Sequence, residues 1–365
     1  LRHPLAGCHF DFSRQRVDGQ ILRELLDLTR VTDLAGKRDA MLAGEKINAS
    51  EGREVLHTAL RDGAPNAPAL MREQVEQTRS RLYACAEAIR GGSWRGYSNR
   101  AIKDVVHIGI GGSHLGPELL VKALAHLPQS QVAPNTHFVA NVDAQHISHA
   151  LNGLNPETTL FIVVSKSFGT LETQVNAASA RSWFLERTGR IDAIAQHFIG
   201  VTTNLQAATE FGFAAENLFP LWDWVGGRFS LWSAVGLPIL LQIGAQAFSQ
   251  LLAGAQTADE HFASAEAAQN IPILAALLAT WNTTALGCNS LAVLSYDQRL
   301  ALLPNFLQQL EMESNGKSVD TNGQQLDYRT MQILWGGCGT NGQHASHQLL
   351  HQGTSRFAAD LIMVA

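Results

Sequence analysis

The sequence predicts an α/β protein built on parallel sheets, with helices ahead of them, and three observations carry the prediction. From residue 101 to about residue 202, short apolar runs alternate with stretches of helical periodicity, the pattern of a parallel sheet covered on both faces. A second pattern of the same kind follows residue 286. The run 160–164, LFIVV, is continuously apolar and rich in β-branched residues, which suits a strand buried on both faces.

Taken in order, residues 14–90 read as helical. Val17, Ile21, Leu22 and Leu25 recur at helical spacing, as do Val55, Leu56 and Leu60 behind a candidate cap at Ser50. Residues 63–68 form a break, and a charged helix then runs to about Arg90, where Gly91, Gly92, Ser93 and Gly96 end it. Strands follow at 105–110, 137–141, 160–164 and 198–202. Helices are expected through Leu119 and Leu124 and over 172–186. The stretch 218–235 gathers Trp222, Trp224 and Trp232 around Gly226, Gly227 and Arg228. Indoles pack between layers, but an arginine beside two glycines lets a ligand approach a guanidinium. A long helical stretch over 238–286 leads to strands at 291–295 and 331–334 and helices at 299–312 and 341–351. A last strand-like run, 360–365, reads as part of an unfinished sheet, which fits either a fragment or a swapped or docked terminal strand. The organisation read from this is an N-terminal helical region (1–90), a first α/β domain (91–240), and linking helices with a partial second α/β domain (241–365).

With 365 residues the chain has room for about two domains. A hydrophobic share of 45%, a charged share of 16% and a net charge of −5 describe a soluble globular chain and argue against nucleic acid as a partner. No apolar run reaches the ~18 residues of a membrane span, and nothing resembles an export signal. Cys8, Cys85, Cys288 and Cys338 are scattered without metal spacing, as reduced cytoplasmic thiols would be.

The loop after residues 160–164 carries the chemistry. Ser165, Lys166, Ser167 and Thr170 stand where a buried strand gives way to a helix, whose first-turn amides lack partners and sit at the positive end of its dipole. One reading is a phosphate cradle; the other is helix capping by ordinary Ser and Thr caps. Four anion-friendly side chains at the carboxyl end of a buried strand favour the cradle. GIGGSHLG at 109–116 is a glycine-rich turn without the third glycine of the dinucleotide fingerprint, because His114 stands there. Asn315, Gly316, Lys317 and Ser318 lack the upstream glycine of a P-loop and read as a turn. His344, His347 and His351 share a helix face without the acidic partner of a zinc motif, so no metal or other cofactor is expected.

Six stretches together resemble one family: EKINASEGREVLHTALR (45–61), DVVHIGIGGSHLGPELL (104–120), VVSKSFGTLET (163–173), DWVGGRFSLWSAVGLPI (223–239), QQLEMESNGKSV (308–319) and GTNGQHASHQLLHQGT (339–354). They are similar to the glucose-6-phosphate isomerase, or phosphoglucose isomerase, family. The resemblance implies two sugar-isomerase (SIS) αβα sandwiches, the second incomplete, and a cytoplasmic homodimer with sites at the subunit boundary. It also implies interconversion of glucose 6-phosphate and fructose 6-phosphate through a cis-enediolate. By this resemblance Gly112 and Ser113 line the sugar phosphate, Ser165, Lys166, Ser167 and Thr170 form its loop, and Arg228 faces the reacting carbons. A fixed, permanently charged donor suits a developing enediolate.

The same resemblance exposes a departure. Where the family reads WGEPGTNGQH, this chain reads Trp335, Gly336, Gly337, Cys338, Gly339, with glycine at the place of the general-base glutamate. The ring-opening histidine and a catalytic lysine belong downstream of the HQGT block, beyond Ala365, and His351 is neither. Glu311, Glu313 and His344 are the alternative bases. His114 replaces a common aspartate, and Ser98, Asn99 and Arg100 replace Thr-Gly-Lys. A sugar-phosphate-binding SIS protein without isomerase chemistry is the rival reading. The missing P-loop and dinucleotide signatures argue against a nucleotide-dependent enzyme.

Overall fold

The computed structural model describes residues 2–62, 67–127 and 132–364. Its strands and helices, in chain order, are β1 (Arg2–Leu5), β2 (Cys8–Asp11), α1 (Gly19–Val31), α2 (Leu34–Ala43), α3 (Ala69–Arg90), β3 (Asp104–Ile108), α4 (Leu115–Ala123), β4 (Asn135–Val139), α5 (Ala144–Leu151), β5 (Thr159–Val164) and α6 (Leu171–Thr188). They continue as α7 (Ile194–His197), β6 (Phe198–Thr202), α8 (Leu205–Phe211), β7 (Leu218–Pro220), α9 (Leu237–Ser264), α10 (Ile271–Thr280), β8 (Ser290–Ser295), α11 (Leu303–Gln308), β9 (Ile333–Cys338), α12 (Gly339–Gln352) and β10 (Phe357–Ile362). Two compact units emerge: Leu70–Gln250, and Leu1–Ala69 together with Leu251–Ala365. Helix α3 thus lies in the first unit, apart from the two leading helices, and the later boundary falls within α9.

The first unit holds a parallel sheet of order β4-β3-β5-β6-β7. All six residues of β5 are buried because strands flank it on both edges and helices pack on its faces. Phe161 stacks on Phe198 at 4.6 Å between ring centroids, and Phe184 meets Phe198 edge-on. Strand β7 has only three residues, ends in proline, and left no periodic trace in the sequence.

The stretch expected as one helix over 238–286 is broken twice. Gly244 adopts φ 79°, a left-handed conformation that glycine reaches at no steric cost. The Arg90 guanidinium donates to the Leu241 and Gln242 carbonyls at this kink. Farther on, Asn270 is fully buried: its carbonyl oxygen caps Ile273 N–H at the start of α10 while its amide donates to the Phe262 carbonyl of α9 at 2.9 Å. The membrane expectation also needs amending. The helix spanning Ala234–Ser264 is long and apolar enough to cross a membrane by length and composition, and 61% of its most apolar window is buried inside the protein, as in a core helix.

The second unit has an antiparallel β1–β2 hairpin, the first two helices, and a parallel sheet of order β10-β8-β9. Asp18 caps α1, its carboxylate accepting from Gln20 and Ile21 N–H. Ser50 caps nothing. It lies in a turn closed by the Asn48–Arg53 bridge, where its hydroxyl donates to Asn48 Oδ1, and residues 55–60 yield only a short 3-10 helix, His57–Arg61. Gly44 and Gly52, both at positive φ, turn the chain before and within this segment. Arg61 forms a bidentate ion pair with Asp259 at 2.7 and 2.8 Å. Residues 63–66 of the expected break lie outside the described residues.

Strand β9 places two adjacent glycines in opposite circumstances. A Cβ on Gly336 would sit 1.9 Å from the Val293 carbonyl oxygen of the neighbouring strand, whereas one on Gly337 would meet nothing within 4 Å. We expect Gly336→Ala to destabilise the protein by about 2 kcal/mol or more through overpacking, and Gly337→Ala to stay within about 1 kcal/mol. Urea unfolding of the two variants checks this.

Candidate functional site

Three segments meet at the carboxyl end of the five-stranded sheet. The first is the turn after β3. Gly111 sits at φ 60°, and Gly111–Ser113 form one 3-10 turn before α4. The second is the loop after β5, residues 165–170. The third is the 3-10 helix Gly227–Trp232, which carries Arg228.

The turn and the arginine helix touch through their backbones. A Cβ on Gly112 would lie 2.1 Å from the Gly227 carbonyl oxygen and 2.6 Å from Arg228 N, so only glycine allows this approach. Gly109, at the same turn, has the Ser113 carbonyl oxygen at 3.0 Å and the Val164 carbonyl oxygen at 3.3 Å from its virtual Cβ.

The β5 loop is pinned from below. The Lys166 carbonyl accepts from Thr203 N–H at 2.8 Å and from the hydroxyls of Thr202 and Thr203 at 3.0 and 2.7 Å. The Lys166 ammonium donates to the carbonyls of Val225 (2.8 Å) and Asp223 (3.2 Å), the residues leading into Gly226, Gly227 and Arg228. Lys166 therefore ties the loop to the arginine segment. Phe168 adopts φ 54° and buries its ring against Phe211 and Phe213. This leaves the loop's accessible side chains polar: Ser167 is exposed, and Lys166 and Thr170 are partly so.

The hydroxyls differ in their engagements. Thr170 stands at the N-cap of α6 but makes no side-chain cap bond, and Ser167 Oγ accepts from Gly169 N–H at 3.2 Å. Ser165 is 3% exposed, and its buried hydroxyl has no hydrogen-bond partner among the described residues. Capping of α6 thus accounts for none of the three. Arg228 lies with its guanidinium over the Phe229 ring at 5.3 Å, while Trp222 and Trp224 stack on each other at 5.1 Å, serving the packing role that their chemistry allows.

Sequence reasoning passed over His107. It is wholly buried on β3, with Nε2 2.7 Å from the Ser113 carbonyl oxygen. Burial pushes its pKa down to about 4, against the opposing pull of that carbonyl contact. Nearby, His114 contacts Glu118 at 3.2 Å, and Lys122 reaches the same carboxylate at 2.7 Å. The hydrogen bond from His114, followed by Lys122, holds the Glu118 carboxyl down at about 2 despite burial.

In the second unit, Gly337 lies on β9, and Glu311 and Glu313 lie on a π-helical turn, Gln309–Glu313, with Asn315 donating to Glu311 at 3.1 Å. Burial pushes the Glu311 carboxyl up. His344, His347 and His351 lie on α12, where the rings of the last two are 5.7 Å apart.

A family model described as phosphoglucose isomerase matches residues 11–365. The chain belongs to this family. It is 48% identical over 363 residues to a glucose-6-phosphate isomerase of Hahella chejuensis, covering 98% of this chain and 65% of that protein. To the corresponding enzyme of Shewanella putrefaciens it is 49% identical over 361 residues, covering 98% of this chain and 66% of the relative. The chain therefore spans just under two thirds of these relatives' length. Among solved structures, a glucose-6-phosphate isomerase from Chlamydia trachomatis superposes with a TM-score of 0.87 at 32% identity, covering 99% of this chain and 69% of that one. A hypothetical protein from Thermus thermophilus gives 0.69 at 28% identity, covering 96% and 74%. The phosphoglucose isomerase fold, with its parallel α/β layers, is thus shared across the described chain.

Because His107 is held neutral in the fold, the unfolded chain takes up its proton first as pH falls below about 6.5, and the folded chain follows only near 4. Its contribution is intact above 6.5 and is lost between those values. The stability advantage of the unsubstituted chain over His107→Gln should narrow by about 2 kcal/mol between pH 7 and pH 5 in paired urea titrations.

Proposed function

We propose that this chain carries the sugar-phosphate site of a glucose-6-phosphate isomerase, an aldose–ketose isomerase acting on glucose 6-phosphate and fructose 6-phosphate. The observation that carries the reading is the meeting of the Gly112 turn, the 165–170 loop and the Arg228 helix within one unit. Ser165 offers a buried hydroxyl without a hydrogen-bond partner among the described residues, Thr170 one that does not cap α6, and α6 the positive end of its dipole. Together with Ser167, Ser113 and the Lys166 charge, they make a cradle for a doubly negative ester. Arg228, permanently protonated, supplies the fixed positive charge that an enediolate needs. Family likeness supports a homodimer acting in the cytoplasm on a small phosphosugar, without a cofactor and without nucleic acid or membrane as a partner.

The proton transfer is where a second reading gains ground. Gly337 bears no group to accept a proton, and loss of a general base costs on the order of 10²- to 10⁴-fold in rate. That position favours a chain that binds the phosphosugar without isomerising it efficiently. Glu311, whose carboxyl burial pushes up, is one alternative base.

Two measurements separate the readings. Calorimetry with 6-phosphogluconate should give saturable binding, weakened by about 1.5 to 3 kcal/mol in Ser165→Ala and in Lys166→Ala. No binding would sink both readings. NMR of fructose 6-phosphate and glucose 6-phosphate in deuterated water should show little exchange at the transferred proton with this chain, and Gly337→Glu alone should not restore full turnover. Rapid exchange by the unsubstituted chain would instead establish a working base elsewhere.

A further inference from the structure

The Ser113 carbonyl lies just outside α4: the helix begins at Leu115 behind its N-cap His114, whose φ of −124° is not helical, and the His114 carbonyl, accepting from Glu118 N–H, is its first acceptor. The Ser113 carbonyl belongs to the turn where Gly112 packs against Gly227 and Arg228, and it takes its donor from outside the helix. That donor comes from β3. His107 Nε2 is 2.7 Å from the Ser113 oxygen, and a carbonyl can only accept, so Nε2 carries the proton. The other ring nitrogen, Nδ1, is buried without a hydrogen-bond partner among the described residues. The ring is therefore neutral and in a single tautomer. Phe138 packs against it at 5.2 Å and also meets the His114 ring edge-on at 5.8 Å; His114 in turn contacts Glu118, whose carboxylate Lys122 also reaches.

We propose that His107 is a positioning residue of the sugar-phosphate site: its Nε2–H holds the Ser113 carbonyl and fixes the Gly112–Ser113 turn against the Arg228 segment. This rests on the functional reading above. It differs from a space-filling role for a buried ring because it assigns the effect to one hydrogen bond with one replaceable donor.

The test is a donor-replacement experiment in the 365-residue chain, read as affinity for 6-phosphogluconate by calorimetry. His107→Leu, which keeps an apolar side chain but no donor, should weaken binding about tenfold, and His107→Gln should hold it within about threefold. Undiminished binding by His107→Leu, or an equal loss in His107→Leu and His107→Gln, would overturn the proposal while leaving the phosphosugar reading intact. Absence of binding by the unsubstituted chain would overturn that reading and the proposal with it. Should His107→Leu not fold, long-range proton–nitrogen NMR decides the matter: an Nε2–H tautomer unchanged from pH 8 to pH 6 is the expected result, and an Nδ1–H tautomer refutes it.

Discussion

The candidate site depends on two backbones coming closer than any side chain would permit. Gly112 rests against the Gly227 carbonyl and the Arg228 amide, and this approach sets the glycine-rich turn beside the arginine. Such a contact contributes little attraction of its own; its importance is that it removes freedom. The Lys166 side chain, reaching the Val225 and Asp223 carbonyls, and its backbone carbonyl, accepting three donors from the end of β6, add a second restraint. Sites of this kind are built from segments that cannot move independently, because electrostatic stabilisation works only when the charges are already in place.

Much of this was legible in the sequence, for identifiable reasons. Strand β5 announced itself because burial on both faces demands an unbroken apolar run, and the polar residues after it marked the end of the strand at which α/β sheets bind ligands. Arg228 stood out beside its glycines. What stayed hidden was tertiary. Neither the carbonyls that receive Lys166 nor the pairing of His107 with Ser113 has a local signature, since each joins residues across a chain reversal. Ser50 misled because six residues of helical spacing cannot outweigh the flanking turns. The long α9 region misled in the opposite sense: Gly244 and Asn270 interrupt an apolar pattern that periodicity alone reads straight through.

Gly336 and Gly337 show how differently one strand can constrain two neighbouring glycines. The strand around Gly337 is kept in register with β8, and its empty surroundings would admit a side chain. Nothing about packing therefore requires glycine there. Gly336, one residue earlier, is the reverse case, since the neighbouring strand leaves no volume for even a methyl group. Of two adjacent glycines, one is explained by sterics and the other is not, and the unexplained one coincides with the place where the family resemblance puts the proton-transferring carboxylate.

Phe168 gives the loop an unusual mechanical linkage. A bulky aromatic in the left-handed region carries a conformational penalty of about 1 to 3 kcal/mol, sustained here by the ring's lodging among Phe211 and Phe213. The hydroxyl-bearing residues on either side are thus tethered to the hydrophobic interior by a spring already under tension. Glycine at 168 would relax the spring and remove its anchorage together, so the shape of the 165–170 loop and the cohesion of the aromatic cluster beneath it are coupled at that point.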